Sequence, residues 1–374
     1  MIRTLFAIIA ALVIVGINYY VYTRFLKRVG MFQRVRSYVK WFMISAVVLE
    51  IIFFLTLRFD TLHPWAFMAI ASMVGVSFML FCVAIIYDLM HIPLTYYPFD
   101  GVRKRTLKGI VDITMLGFVL IYVLNGFAGG LKAPKITHQE IAIKGLKEPL
   151  KIAQISDLHV GKTIGKSAVD SLVARVNGLD VDMVVITGDL IDLEVGQIGN
   201  SLDSLSTLQS RYGTFYVSGN HEYFHGIEGI LTHLKSLHVR VLDNENLQIA
   251  GINLAGIHDL MGDGMKHDLA PDLDKALDGI DRKLPTILLS HQPKILNRIG
   301  DETPIDLILS GHTHGGQIFP FGLLVLLDQP YLYGLYTHTQ KTQVYVSSGA
   351  GYWGPPLRVG APSEIAILHL RPNL

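Results

Sequence analysis

Histidine, aspartate and asparagine recur in this chain directly after short apolar runs. Asp157-Leu158-His159 follows the run at 150–156, and Gly188-Asp189-Leu190-Ile191-Asp192 follows 183–187. Gly219-Asn220-His221-Glu222 follows 214–218, and His291 follows 286–290. Gly311-His312-Thr313-His314-Gly315-Gly316 closes the run at 305–310. Carboxylate, amide oxygen and imidazole are the ligand types that suit Mn, Fe, Zn or Ni. His312 and His314 alternate along an extended segment, so with Thr313 turned away both can face one centre. A lone Asp-x-His arises often by chance. Five tips in order say more, because ligands of open α/β sheets gather at the carboxyl ends of strands. The one cysteine, Cys82, excludes an intrachain disulfide framework and a Cys-rich zinc site. Gly161-Lys162-Thr163-Ile164-Gly165 lacks the spacing of a phosphate-binding P-loop.

These tips need strands behind them. The pattern predicts strands at 150–156, 183–187, 214–218, 240–242, 252–257, 286–290, 305–310, 343–347 and 364–370. Met-Val-Val-Ile-Thr at 183–187 and Thr-Ile-Leu-Leu-Ser at 286–290 are continuously apolar, as strands covered on both faces are. Helical patterns fall between them at 166–177, 201–209, 228–237 and 269–277. Strand and helix alternate and then strands dominate, which predicts a layered α/β sandwich.

The order D-x-H, G-D-x-x-D, G-N-H-E, a lone H and G-H-x-H resembles that of the calcineurin-like metallophosphoesterases, over about residues 150–350. Gly311 to Gln317 and the later Gly349-Ala350-Gly351-Tyr352-Trp353-Gly354-Pro355-Pro356 resemble the membrane-associated bacterial phosphohydrolase branch, some of whose members are similar to UDP-2,3-diacylglucosamine pyrophosphohydrolases. The resemblance implies a four-layer α/β/β/α sandwich holding two divalent metal ions. It implies that Asp157, His159 and His314 hold one metal, that Asn220, His291 and His312 hold the other, and that Asp189 bridges them. A bridging hydroxide would be the nucleophile, since coordination lowers the pKa of water toward ~7. His221 would be the general acid, and Asp192 would orient His221 or a ligand histidine. Glu222 reads as an ordinary solvent-side carboxylate at a helix start.

The other half of the chain is of a different kind. Over all 374 residues, half are hydrophobic and only 17% are charged, and the apolar excess lies before residue 130. Mean hydropathy is +0.39. Apolar segments at 5–22, 41–57, 64–87 and 110–127 approach the ~20 residues that cross a bilayer. They predict a four-helix transmembrane region over 1–130, a linker and first strand region over 131–149, and the phosphoesterase domain over 150–374. Arg24, Lys27, Arg28, Arg34, Arg36 and Lys40 load the first loop, and Arg103, Lys104, Arg105 and Lys108 the third. The second connection carries only Arg58 and Asp60. Basic loops stay cytoplasmic, so the chain is expected in the cell membrane with its catalytic domain outside. Glu50 and Asp112 lie inside apolar segments, where a carboxylate is a functional candidate; Glu50 is expected to pair with a polar group on a neighbouring helix or to be protonated.

The formal net charge of +1 gives no basic excess for a nucleic-acid partner. The expected partners are the lipid bilayer and a phosphate-containing, amphiphilic substrate. The expected function is a membrane-anchored, metal-dependent hydrolase of phosphate esters or anhydrides, on a lipid-linked or nucleotide-linked substrate. The alternatives are a membrane sensor or scaffold with a reduced phosphoesterase domain, or a protein phosphatase. A UDP-linked lipid precursor lies normally on the cytoplasmic side, which conflicts with the expected topology. His225, His233, His238, His258, His267, His338 and His369 lack a motif partner, and Tyr352 and Trp353 are expected to pack on the sheet.

Overall fold

The computed structural model describes residues 2–56, 62–265 and 268–373, so Arg58, Asp60 and His267 lie outside the described residues. The chain divides into Met1–Leu131 with Gly354–Val359, and Lys132–Trp353 with Gly360–Leu374.

The first unit is helical. α1 (Ile2–Tyr20) runs into a π-helical turn (Val21–Leu26), and a 3-10 turn (Gly30–Val35) leads into α2 (Arg36–Thr56). α3 is Pro64–Tyr96 and α4 is Gly101–Gly130. Among the described residues, four helices are thus long and apolar enough to cross a membrane. Helices suit that solvent because each satisfies its own backbone hydrogen bonds. α3 and α4 outrun the apolar segments because polar groups extend them. The Asp100 carboxylate caps α4, accepting from Val102 and Arg103 N–H at 2.9 and 2.8 Å. Asp88, in α3, takes Arg24 and Arg28, each at 2.7 Å.

Two buried carboxylates inside this unit are satisfied by neighbours. Asn18 and Ser77 donate to the two oxygens of Glu50 at 2.8 and 2.6 Å. The Tyr87 hydroxyl and the Gly30 N–H donate to the two oxygens of Asp112 at 2.8 and 2.9 Å. The segment Gly354–Val359 is seated by close approach, with Arg358 N–H donating to Gly126 O at 2.8 Å. A Cβ at Gly129 would meet the Arg358 carbonyl oxygen at 2.2 Å.

The second unit holds two six-stranded sheets. Its elements in chain order begin with β1 (Lys135–Lys144), β2 (Leu150–Ile155), α5 (Lys166–Asn177), β3 (Met183–Thr187), α6 (Val195–Ile198) and β4 (Thr214–Val217). Then come α7 (Asn220–Phe224), α8 (Ile227–Ser236), β5 (Arg240–Val241), β6 (Glu245–Ile249), β7 (Ile252–Gly256) and α9 (Leu273–Leu277). β8 (Thr286–Leu289), β9 (Leu307–Ser310), α10 (Gly322–Val325), β10 (Gly334–Thr337), β11 (Gln343–Val346) and β12 (Glu364–Asn373) complete it. One sheet is ordered β1-β12-β2-β3-β4-β5 and the other β10-β11-β9-β8-β7-β6. β2 to β5 are parallel neighbours, as are β7, β8, β9 and β11.

Alternation along each strand builds the layers. Met183 and Val185 of β3 join Leu254, Ile287, Leu307 and Leu368 in one buried cluster between the sheets. Val184 and Ile186 point the other way, onto Leu172, Val176, Ile230 and Leu234 of α5 and α8. On the outer face of the second sheet, Leu288 and Ile308 meet Ile295 and Leu296 of a 3-10 turn (Pro293–Arg298). The result is a four-layer α/β/β/α sandwich whose second outer layer is built of short turns. Two expected helices shrink accordingly. The pattern at 201–209 forms a 3-10 turn, Asp203–Thr207, and that at 269–277 starts only at Leu273, where Asp272 caps it. β6 and β10, edge neighbours of antiparallel pairs, lack the apolar runs that reveal buried strands.

Candidate metal centre

The parallel strands deliver the chemistry to one end of both sheets. β2 leads to Asp157 and His159, β3 to Asp189 and Asp192, and β4 to Asn220, His221 and Glu222. β8 leads to His291, and β9 to His312 and His314. Asp157, His159, Asp189, His312 and His314 all have φ between 49° and 69°. That left-handed region disfavours residues with a Cβ, and such strain persists only where surroundings over-determine it. Here the surroundings are visible. The His312 N–H reaches both oxygens of Asp157 at 3.0 Å, and the His221 N–H donates to Asp189 Oδ1 at 2.8 Å. A Cβ at Gly311 would overlap Ser156 Oγ at 1.9 Å, so the strands approach as closely as they do only with glycine there.

The side chains form connected groups. Asp157, His159 and His314 converge, as do Asp189, His291 and His312, as do His159, Asp189 and His221, each group with ligand atoms within 4.8 Å of one another. Asp189 belongs to two of these groups, and its Oδ2 lies 3.2 Å from His291 Nε2 and 3.9 Å from His159 Nε2. Asn220 joins through Oδ1, 3.1 Å from His291 Nε2.

The donor set fits divalent cations. His159 Nδ1 lies 2.8 Å from Asp192 Oδ1, and an ionised carboxylate only accepts, so the proton sits on Nδ1. His159 Nε2 therefore turns a lone pair toward His314 Nε2, 3.0 Å away. His291 Nδ1 likewise donates to Thr187 O at 2.7 Å, which leaves its Nε2 facing Asn220 Oδ1, Asp189 Oδ2 and, at 3.2 Å, His312 Nδ1. Acceptors about 3 Å apart match the edge of a coordination shell with bonds of ~2.1 Å. A proton can substitute for a cation there. Burial opposes it, but the charges of Asp189 and Asp157 pull His291 well above the ordinary imidazole range. Burial and the neighbouring His291 charge push His312 down to about 3.

His221 sits beside this cluster. Its Nδ1 donates to the same Asp192 oxygen at 2.7 Å, so Asp192 orients both His159 and His221. Burial would lower His221, yet the charges of Asp189 and Asp192 raise it to about 10. Burial would raise Asp192, and the charges of His159 and His221 hold it below the carboxylate range.

Glu222 is not a solvent-side carboxylate. It is fully buried and accepts backbone N–H groups from Gly219 at 2.6 Å, Leu190 at 2.8 Å, Asp189 at 3.2 Å and Ile191 at 3.3 Å. One side chain thus ties the loop after β3 to the loop after β4. The spacing of Gly219 and Glu222, a carboxylate three residues into a helix start, is the signal that exposes it. Trp353 also departs from expectation. Tyr352 packs into the core, but Trp353 is 50% exposed, with its ring centroid 6.2 Å from that of His221. His225 joins Asp192 and His221 in a further group. His258 is buried beside Ser218, and His138 and His369 stack across β1 and β12.

The calcineurin-like phosphoesterase profile matches residues 150–316. An "Uncharacterized metallophosphoesterase" of Helicobacter pylori is 42% identical over 366 residues, 98% of this chain and 98% of that protein. One of Campylobacter jejuni is 37% identical over 99% of both chains. A bovine "Transmembrane protein with metallophosphoesterase domain" is 39% identical over 73% of this chain and 64% of its own. With its ordered strand-end residues, its double sheet and relatives matched over nearly their whole length, this chain belongs to the calcineurin-like metallophosphoesterase family.

Proposed function

We propose that the chain is a membrane-anchored hydrolase of phosphate esters or anhydrides that works with two divalent metal ions. The observation that carries this reading is Asp189, one buried carboxylate that groups with His291 and His312 on one side and with His159 on the other, where His159 also groups with Asp157 and His314. Two dications ~3.5–4 Å apart repel strongly, and a shared anion offsets that repulsion. Asp157, His159 and His314 would hold one ion; Asn220, His291 and His312 would hold the other. When bound, the pair supplies Lewis-acid stabilisation of the phosphoryl oxygens and a water activated for in-line attack.

The protein's own groups do the rest. Thr187 and Asp192 fix the tautomers of His291 and His159 and so aim their Nε2 atoms. Glu222 holds Asp189 through its backbone. His221, with Nδ1 on Asp192 and Nε2 turned inward, carries the proton for the leaving-group oxygen and acts as general acid. The basic first and third loops support a catalytic domain outside the cell membrane. An extracytoplasmic domain favours a lipid-linked or nucleotide-linked phosphate found there over the UDP-linked precursor of the narrower likeness.

The test is hydrolysis of bis-p-nitrophenyl phosphate by full-length protein, first chelated and then supplemented with Mn. Activity should appear only with the metal; equal rates in both states would refute the reading. Protease treatment of sealed cells should degrade the sandwich, and protection would reverse the proposed orientation.

A further inference from the structure

Soon after His314, the sandwich presents a run without charge: Ile318-Phe319-Pro320-Phe321-Gly322-Leu323-Leu324-Val325-Leu326-Leu327. Leu327 is 82% exposed, Phe319 66% and Leu323 64%, and Leu324 and Leu326 are exposed too. A buried leucine is worth ~1.5–3 kcal/mol, so a contiguous set left in water forgoes a large stabilisation. Such patches, rimmed by polar residues, mark protein or membrane contacts. The rim here includes the Lys294–Asp328 ion pair.

The course of the chain favours membrane as the occupant. α4 ends at Gly130 and β1 starts at Lys135, and a linker this short reaches under ~20 Å, at 3.3–3.6 Å per residue. The base of the apolar run is also bonded to both flanks of Gly354–Val359, the segment that groups with the membrane helices. On one flank Gln317 and Trp353 exchange two hydrogen bonds, of 3.0 and 2.9 Å. On the other, Ile318 pairs with Gly360. Trp353 and Gly360 are the residues that immediately precede and follow that segment along the chain. Leucine, phenylalanine and tryptophan without charge is the composition of a segment lying in the headgroup–acyl boundary. Trp353, beside His221, links the patch to the candidate catalytic residues.

We propose that residues 318–327, with Trp353, insert into the acyl layer of the bilayer, and that the substrate is an amphiphilic phosphate presented in that surface. Insertion stands on its own; the substrate class rests on the hydrolase reading above. The full chain carrying Cys82→Ser and Leu327→Cys, labelled with an environment-sensitive fluorophore, is reconstituted into phosphatidylcholine–phosphatidylglycerol vesicles. Lipids brominated along their chains should quench the label severalfold more than one at the exposed Asp301→Cys. Equal quenching at both positions overturns insertion. So does a blue-shifted but unquenched label, which signals burial against protein. For the substrate, turnover of a long-chain phosphate ester in vesicles is compared with that of its soluble short-chain homologue. Leu323→Ser/Leu324→Ser/Leu327→Ser should lower the ratio of the two at least tenfold; an unchanged ratio overturns the substrate class. If wild type with Mn turned over neither ester nor bis-p-nitrophenyl phosphate, the hydrolase reading and with it the substrate class would fall, and the label would still decide insertion.

Discussion

Glu50 among the helices and Asp189 in the sandwich are both fully or nearly fully buried carboxylates, yet their surroundings differ in kind. Each Glu50 oxygen receives one neutral donor, from Asn18 or Ser77. Asp112 is closed the same way by Tyr87 and Gly30. Asp189 instead shares its Oδ2 with the Nε2 atoms of three histidines, at 3.2, 3.9 and 3.9 Å. The helical groups complete their own hydrogen bonds and hold helices together. The sandwich groups crowd acceptors that need a cation or a proton between them. Backbone follows a similar division: helices keep their residues in right-handed conformation, while five of the strand-end residues, Asp157, His159, Asp189, His312 and His314, are held left-handed. A buried carboxylate thus marks chemistry when its partners are themselves ligands, and architecture when they are plain donors.

The contrast can be tested at its extremes first. Asp189→Asn should empty both metal positions and lower kcat/KM by about a thousandfold or more, beyond the loss of a typical single oxyanion donor. Metal analysis of the purified variant checks the cause, and full metal content would refute a bridging role. His221→Gln should retain metal and lose about 10²–10⁴ in kcat, the range of general acid catalysis. Its loss should be smaller for esters whose leaving groups need no proton, and a uniform loss would exclude the general-acid role. Glu222→Gln leaves backbone donors facing an amide NH2, at a cost of roughly 1–3 kcal/mol, read as a lower melting temperature.

The metal-stripped protein should show a pH signature. With a folded pKa of about 10 against an unfolded value of ~6.5, the His221 pairing stabilises fully below ~6.5 and is lost as pH rises toward 10. Melting temperature should fall by roughly 10 °C across that window, and His221→Gln should flatten the decline. The smallest effect is expected at Glu50. Glu50→Ala should cost about 0.6–1.7 kcal/mol and Glu50→Gln less, with metal content unchanged in both. A large activity loss in Glu50→Gln would give the helical unit a chemical role and erase the contrast.

The strand-end residues were identifiable because a metal site needs particular side-chain types, and parallel sheets need apolar runs before them. The strands carrying Asp157, Asp189, Asn220, His291 and His312 all lie where those runs are. The membrane helices were visible for a related reason, since hydrocarbon imposes composition over a known length. The settings of Glu222 and Trp353 are not legible in the sequence because their surroundings are made by other parts of the chain. Glu222 is buried by a loop thirty-odd residues upstream, and Trp353 meets His221 only through the return of the chain after β11.

Residue order alone therefore settled which groups are available and which strands present them, because covalent spacing and hydrophobic period are local properties. It could not settle that His159 and His314 face each other at 3.0 Å, that one Asp192 oxygen serves two histidines, or that an apolar loop stays in the open beside them. Those depend on the packing of two sheets, where distances between residues far apart in sequence are set by side-chain volume and strand register.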